Sequence, residues 1–208
     1  MTPITNRIIL PPEKGNEEII VVRRDILFKD TPAWHGLKEV DMNYYSDLIT
    51  SNKEIMLRSF AENDVNYKQI IPYIVFKYQD TYFLMERGAK TTESRLANKY
   101  SLGIGGHMRT SDITSSNIIQ WGQREFQEEV VYDGNVSYEV LGIINDDTYD
   151  VGKVHIGIVL CATGDTDDIA IRSELKMGTL VNLETCIAHF NKLETWSQHV
   201  VTFLQKSL

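Results

Sequence analysis

Residues 124–129 read Arg-Glu-Phe-Gln-Glu-Glu, and the glycine-rich segment Gly103-Ile104-Gly105-Gly106-His107 precedes them. In a helix that advances about 100° per residue, Glu125, Glu128 and Glu129 share one face. Crowding three carboxylates raises the free energy of their ionised state unless a cation neutralises them. The pattern therefore predicts a helix whose acidic face binds a divalent cation, and a solvated acidic face is the alternative.

The neighbours of these acids favour the cation-binding interpretation. Arg124 lies four residues before Glu128, a spacing at which an arginine can hold a carboxylate in a fixed rotamer. Phe126 lies with Gly122 and Val130 on an adjoining apolar stripe. We therefore expect the helix to pack through this stripe and to leave its acids accessible.

The glycine-rich segment before the helix is the predicted contact for an anion. Gly105 and Gly106 can adopt backbone conformations that bring main-chain N–H groups close to a phosphate. His107 follows them, and it either touches a phosphate or a leaving group or serves as a hydrogen-bonded structural residue. Ser115 and Ser116 are the expected N-caps of the acidic helix.

Together these residues resemble the box of the Nudix hydrolase family, which reads Gly, five residues, Glu, seven residues, Arg-Glu-apolar-x-Glu-Glu-x-Gly-apolar. With Gly106 as the opening glycine, Asp112 takes the place of the first glutamate, and eleven residues instead of seven separate it from Arg124. Val131 replaces the later glycine, and we expect Gly134 to end the helix instead. The second half of the box is matched closely and the first half loosely.

The resemblance implies an α/β/α sandwich on a mixed β-sheet, with Mg²⁺ or Mn²⁺ as cofactor. It also implies hydrolysis of a diphosphate linkage in a nucleoside diphosphate derivative or related small molecule, and it makes a homodimer reasonable. Magnesium commonly combines a few carboxylates with substrate oxygens and water, which suits an open acidic face. The predicted site consists of the metal ligands Glu125, Glu128 and Glu129, the orienting residue Arg124, and the substrate contacts Gly105, Gly106 and His107.

The general base has several candidates. Glu125 is one, and Glu174 is another because its surroundings resemble the place where many Nudix enzymes carry a further glutamate; a surface-loop role is the alternative for Glu174. Asp146 and Asp147 lie in a turn between two predicted strands, where local hydrogen bonding is the simpler explanation. The predicted catalytic set therefore consists of Arg124, Glu125, Glu128, Glu129 and Glu174.

Composition limits the other classes of function. The 208 residues carry 21 basic and 29 acidic side chains and a net charge of -8, which disfavours binding to duplex nucleic acid. Cys161 and Cys186 lack a paired spacing, so we expect free thiols in a reducing compartment. The sequence shows no bilayer-length apolar stretch and no signal-peptide pattern, so we expect a cytoplasmic protein.

The order of predicted elements supports a mixed sheet covered by helices on both faces. Residues 1–65 are expected to form an N-terminal extension packed on a hydrolase domain at 66–208. The predicted strands span 18–24, 70–78, 82–86, 138–144 and 154–162, the segment 100–104 leads into the glycine-rich segment, and the predicted helices span 43–50, 55–61, 183–191 and 195–205. The segments 68–73, 105–107 and 151–155 resemble a subgroup of Nudix proteins with such an extension, and His155 is expected to be packed within its strand.

Two other functions fit the same scaffold. A sensor domain would bind a nucleotide derivative without hydrolysing it, and the altered loop around Asp112 favours that alternative. An isomerase of prenyl diphosphates would need a reactive cysteine facing the metal, and neither Cys161 nor Cys186 has a suitable sequence context.

Overall fold

The structure is a computed structural model that describes residues 15–87, 99–109, 112, 117–172 and 176–206. The described strands are β1 (Glu18–Arg23), β2 (Gly36–Lys38), β3 (Lys53–Leu57), β4 (Tyr67–Tyr78), β5 (Thr81–Arg87), β6 (Tyr100–Ser101), β7 (Gly103–Gly105), β8 (Val130–Tyr132), β9 (Val136–Asn145), β10 (His155–Gly164), β11 (Ile169–Ile171) and β12 (Lys176–Asn182). The described helices are α1 (Arg24–Leu27), α2 (Met42–Asn52), α3 (Arg58–Ala61), α4 (Ile118–Glu129), α5 (Asp150–Val154), α6 (Leu183–Ala188) and α7 (Thr195–Lys206), with a 3-10 turn at Phe190–Lys192.

One mixed sheet organises the chain. Its main path runs β12-β5-β4-β10-β9-β2, and β1 adds to β4 while β3 pairs with β1. The β4–β10 pair is parallel, whereas the other neighbours along the path are antiparallel. Strand β7 also pairs with β4, so the glycine-rich segment begins at the centre of the sheet.

Helices cover both faces of this sheet, which confirms the predicted α/β/α sandwich. Alternate side chains of β4 point to opposite faces, as strand geometry requires. Ile74 and Phe76 join a cluster with residues of α2 and α4, whereas Tyr73 and Val75 join a second cluster with residues of α6 and α7. The two clusters form the two halves of the core.

Several predicted boundaries are wrong because strand pairing overrides local pattern. The segment predicted as a helix at 55–61 is divided between β3 and the short α3, since Ile55 pairs with Ile20 of β1. Helix α4 ends at Glu129, well before Gly134, because Val130–Tyr132 forms a strand that pairs with β11. Gly134 has no positive φ, so it does not supply the expected helix end.

The residues before position 66 contribute strands to the sheet. Val21 and Val22 of β1 lie opposite Gln69 and Lys68 of β4, and both valines are fully buried. Ile20 N donates a hydrogen bond of 2.8 Å to Met108 O, so this part of the chain also contacts the segment that follows β7. Within the described ranges, no helix combines the length and apolar character needed to cross a bilayer.

Candidate active site

Helix α4 contains the whole hexad, but it begins with a different cap, and the expectation that all of its acids are accessible is wrong for Glu125, which is buried. The side chain of Asn117 accepts a hydrogen bond from Ile119 N at 3.0 Å and caps the helix. Ser115 and Ser116, the expected caps, lie outside the described residues. Trp121 and Phe126 are buried, and Phe126 stacks on Phe76 of β4 with ring centroids 5.9 Å apart. The apolar stripe therefore anchors the helix to the sheet.

Arg124 connects two glutamates of the hexad. Its Nη1 donates to Glu125 Oε2 at 3.0 Å and to Glu128 Oε2 at 2.8 Å. The second contact is the four-residue pairing predicted from the sequence. Because both hydrogen bonds are charge-assisted, they hold the two carboxylates in defined rotamers. Glu128 nevertheless keeps 48% of its side-chain surface exposed, so a ligand can reach it.

Asp112 completes the arrangement around Arg124. Arg124 Nε and Nη2 donate to the two carboxylate oxygens of Asp112 at 2.6 and 2.9 Å, and only 4% of the Asp112 side chain is exposed. The main-chain N–H of Arg109 donates to the same carboxylate at 2.7 Å. Arg124 Nη2 also donates to His107 O at 3.2 Å. Asp112, although it is shorter than glutamate and lies further from Arg124 in sequence, still reaches this arginine. It holds the Nε and Nη2 edge of the guanidinium, whereas the glutamates bind Nη1.

Gly106 makes room for the carboxylate of Glu125. A Cβ at Gly106 would lie 1.5 Å from Glu125 Oε1, and a Cβ at Gly105 would lie 2.7 Å from the Pro72 carbonyl oxygen. Neither glycine has a positive φ, so close packing, and not a left-handed backbone conformation, is what requires glycine here. Burial raises the pKa of Glu125; Arg124 opposes this shift, and Glu128 and Glu129 add to it.

The donor chemistry of the acidic face fits a hard cation. Mg²⁺ takes oxygen ligands and is commonly held by one or two carboxylates together with water and substrate phosphates. Among the described residues, two clusters of histidine and acidic side chains bring three ligand atoms within 4.8 Å of one another. The carboxylates of Glu125, Glu128 and Glu129 do not form such a cluster. The acids therefore suit an open metal site, in which the substrate supplies further ligands. They do not form a closed protein cage.

Comparison with known proteins assigns the family. No protein-family model matches the chain. Protein YmaB of Bacillus subtilis (strain 168) is 36% identical over 213 residues, which cover 92% of this chain and 99% of YmaB. The solved structure of Tm1382, provisionally described as a Nudix hydrolase, superposes with a TM-score of 0.80 at 28% identity over 92% of this chain and 100% of Tm1382. The chain belongs to the Nudix hydrolase family.

Two more distant structures show likeness of fold alone. The NUDIX domain of Shewanella oneidensis NrtR, solved with ADP ribose, gives a TM-score of 0.52 at 12% identity and covers 67% of this chain and 88% of that domain. DR0079 of Deinococcus radiodurans gives a TM-score of 0.51 at 12% identity over 71% of this chain and 89% of its own. The match to Tm1382 extends further along the chain than either of these.

Asp146 and Asp147, the turn acids considered as general bases, have structural partners in this Nudix protein. Asp146 accepts hydrogen bonds from Thr148 N at 2.9 Å and pairs with His199 Nε2 at 2.9 Å. Asp147 forms an ion pair with Arg24 and accepts from the fully buried Lys68 Nζ at 2.7 Å. These contacts tie the turn after β9 to α1, β4 and α7, which accounts for both acids without a catalytic role.

Two predicted site residues remain, Glu174 and His107. Glu174 lies outside the described residues, so its placement relative to the Nudix box stays a prediction. His107 lies beside the box, where its Nε2 is 2.8 Å from Gln69 Oε1 and 3.2 Å from His155 Nε2. Sequence reasoning missed the contact of Gly106 with Glu125 and the pairing of His107 with His155. The only sequence signal for the pairing of His107 with His155 was that the segments 68–73, 105–107 and 151–155 together resemble one subgroup of Nudix proteins.

Proposed function

We propose that this Nudix protein hydrolyses a diphosphate linkage in a nucleoside diphosphate derivative or a related small molecule. In this proposal Glu125, Glu128 and Glu129 hold Mg²⁺ or Mn²⁺. The observation that carries the proposal is the contact of one guanidinium, that of Arg124, with Asp112 and with two box glutamates. A charge network of this kind fixes the carboxylates in advance, as a site that orients metal ligands requires.

Each residue has a distinct task in the reaction. When bound, the divalent ion neutralises phosphate charge and activates a water molecule for attack on phosphorus. Glu128 is reachable from solvent, whereas Glu125 is buried against Gly106. Arg124 keeps these two carboxylates in place through its hydrogen bonds. Glu125 is the preferred general base because it is the acid that lies against the glycine-rich segment, and Glu174 is the second candidate.

The phosphates are proposed to lie over the segment between β7 and α4. Gly105 and Gly106 lack side chains that would cover their main-chain atoms, and His107 follows them directly. Glu125 and Arg124 contact this segment, at Gly106 and at the His107 carbonyl respectively. A diphosphate bound there would therefore meet the acidic face of α4.

A substrate screen tests the proposal. The purified chain is incubated with Mg²⁺ or Mn²⁺ and a panel of compounds, and phosphorus NMR follows the release of monophosphate or phosphate. The panel comprises nucleotide sugars, dinucleoside polyphosphates, dinucleotide cofactors, oxidised nucleotides and non-nucleotide diphosphates, and it includes ADP ribose because the NrtR domain was solved with it. We expect metal-dependent cleavage of at least one compound. Tight binding without any metal-dependent product would identify a sensor instead.

The organisation of the chain is part of the proposal. We propose that residues 1–65 form an extension packed on the hydrolase domain at 66–208, which the pairing of β1 with β4 supports. We also propose a homodimer, which light scattering of the purified chain would test. The two cysteines are buried and free, in keeping with a cytoplasmic, reducing environment.

A further inference from the structure

Three separate segments meet beside the Nudix box. His155, at the start of β10, lies level with Gln69 in the parallel register of β4 and β10. Met108 N donates to Ile70 O at 3.3 Å, which places His107 next to the same end of β4. Glu62, just after α3, approaches from the N-terminal part of the chain. Four side chains that can ligate a metal ion therefore gather at one point.

The distances within this group match those of a metal site. The ligand atoms of Glu62, His107 and His155 all lie within 4.8 Å of one another. His107 Nε2 and His155 Nε2 are 3.2 Å apart, and an ion bound to both at about 2.0–2.1 Å would subtend an angle near 100°, close to tetrahedral. Glu62 Oε1 lies 3.9 Å from His155 Nε2, so it would need to approach by roughly half an ångström.

The other ring nitrogen of His155 is already held as in a metal-ligating histidine. Its Nδ1 lies 2.7 Å from the main-chain carbonyl oxygen of Val151, so Nδ1 carries the proton and donates it. In the neutral form of this ring, the lone pair of Nε2 is then directed towards His107 and Glu62. Histidines that bind metal ions usually donate their second N–H to a carbonyl or carboxylate, which fixes the tautomer and the ring orientation.

Gln69 supplies a second, independent observation. Its side chain is fully buried, and its Oε1 lies 2.8 Å from His107 Nε2. Its amide nitrogen has no hydrogen-bond partner among the described residues. A buried amide with an unsatisfied N–H costs free energy, so its orientation needs a reason. Use of the carbonyl oxygen as a metal ligand would give that reason.

We propose that Glu62, His107 and His155, together with the carbonyl oxygen of Gln69, bind a divalent transition metal ion such as Zn²⁺, at a site separate from the box glutamates. Imidazole ligands suit zinc and its neighbours in the transition series, whereas Mg²⁺ and Ca²⁺ take oxygen ligands. Glu62 and His155 are only 8% and 6% exposed, so the ion would be largely enclosed.

The site would connect the N-terminal part of the chain to the catalytic box. Glu62 precedes β4, whereas His107 belongs to the segment that leads to α4. The carbonyl oxygen of His107 accepts a hydrogen bond from Arg124, which orients the box glutamates. An ion held by His107 would thus fix the position of a group that supports Arg124, and it would act as a structural ion next to the proposed Mg²⁺ site.

Cobalt binding tests the site without any assay of activity. Co²⁺ replaces zinc at nitrogen and oxygen ligands, and its visible absorption reports ligation by the protein. The purified chain is stripped with a chelator and titrated with Co²⁺ in the presence of excess Mg²⁺. We expect one equivalent of Co²⁺ to bind with a visible band in the natural protein and in Glu128→Gln/Glu129→Gln, which lacks two box acids. His155→Gln and His107→Gln should bind at least about 100-fold more weakly.

His189→Gln is the matched control, since His189 lies in neither histidine–acid group and its Nδ1 contacts Thr185 O at 2.9 Å. It should keep the cobalt band. Circular dichroism checks that each variant folds, and Glu62→Gln provides a third ligand variant if either histidine variant does not. The proposal would be overturned if the natural protein showed no band, if the folded ligand variants kept the band, or if the double glutamate variant lost it. The group would then be a metal-free hydrogen-bond network. Displacement of Co²⁺ by Mg²⁺ would also contradict it.

Discussion

Replacing Gly106 with alanine places a methyl carbon 1.5 Å from Glu125 Oε1. An ordinary carbon–oxygen contact is about 3.4 Å, so the carboxylate must move by about 2 Å. A misplacement of about 1 Å in a catalytic group can cost about 100-fold in rate. We therefore expect Gly106→Ala to lower kcat/KM by at least about 100-fold, equivalent to about 2.7 kcal/mol in activation free energy.

The fold should survive this change. The atom in the way is the end of a flexible side chain, and Gly106 has no positive φ that alanine would have to adopt. The free energy of unfolding should fall by only about 1–2 kcal/mol, as for ordinary overpacking. The assay is steady-state hydrolysis of the substrate identified by the screen, together with calorimetric Mn²⁺ binding and denaturant unfolding.

A matched glycine and a second substitution make the result specific. Gly178→Ala also creates a clash, at 2.2 Å from the Phe83 ring, but it lies in the β12–β5 pair and should cost stability without weakening Mn²⁺ binding. Glu125→Asp shortens the acid, so its effect and that of Gly106→Ala should be less than additive when the two are combined. Natural activity and Mn²⁺ affinity in Gly106→Ala would refute the assigned position of Glu125.

Three further substitutions address the box and its surroundings. Glu128→Gln should lower turnover by several powers of ten, about 1,000-fold or more, with an unchanged circular dichroism spectrum, and full activity would remove Glu128 from the site. Asp112→Asn should lower activity by about 10–100-fold because it weakens the hold on Arg124, whereas Asp133→Asn on the exposed surface should have no effect; equal activities would show that Arg124 needs no such partner. Partial burial raises the pKa of Asp147, but hydrogen bonds from Arg24 and Lys68 more than offset this, so its pKa in the folded protein is far below its ordinary value. Asp147 is then a stabilising group above about pH 4, and its contribution disappears as the pH falls below that value. After allowance for its partial exposure, Asp147→Asn should cost about 1–2 kcal/mol at pH 7, measured by urea unfolding, and progressively less towards pH 3; a cost that does not change with pH would contradict this.

The helix of the box was predictable because its signals are local. Arg124 and Glu128 are one helical turn apart, and Phe126 and Val130 lie on the adjoining stripe, so the sequence alone specifies both faces. The β4–β5 hairpin was predictable for the same reason, with a two-residue turn at Gln79 and Asp80 between apolar runs. Spacing along the chain carries this kind of information directly.

The unpredicted features depend on contacts between distant segments. Strand β3 forms where the sequence weakly favours a helix, because β1 supplies a partner for Ile55. Strands β11 and β12 were not predicted, since β11 has only three residues and the seven residues of β12 show little hydrophobic alternation. The helix ends at Glu129 and not near Gly134 because β8 pairs with β11. These outcomes follow from tertiary pairing and not from local propensity.

The same distinction applies to the site. The sequence identifies the acids of α4, but it does not show that Gly106 packs against Glu125 or that Asp112 reaches Arg124 across a longer loop. The approach of Glu62 to His155 depends on how β1, β3 and β4 pair, and no spacing in the chain indicates it. Contacts of this kind become visible only once the sheet is assembled.

Calorimetric titration with a divalent cation tests the catalytic proposal most directly. Mg²⁺ and Mn²⁺ are titrated at neutral pH into the natural protein and into Glu128→Gln/Glu129→Gln, each alone and in the presence of the candidate diphosphate compounds. We expect the natural protein to bind the cation, more tightly when a diphosphate compound is present, and the double variant to lose this binding while it remains folded. Failure of the natural protein to bind Mg²⁺ or Mn²⁺ under any of these conditions would contradict the proposed catalytic site.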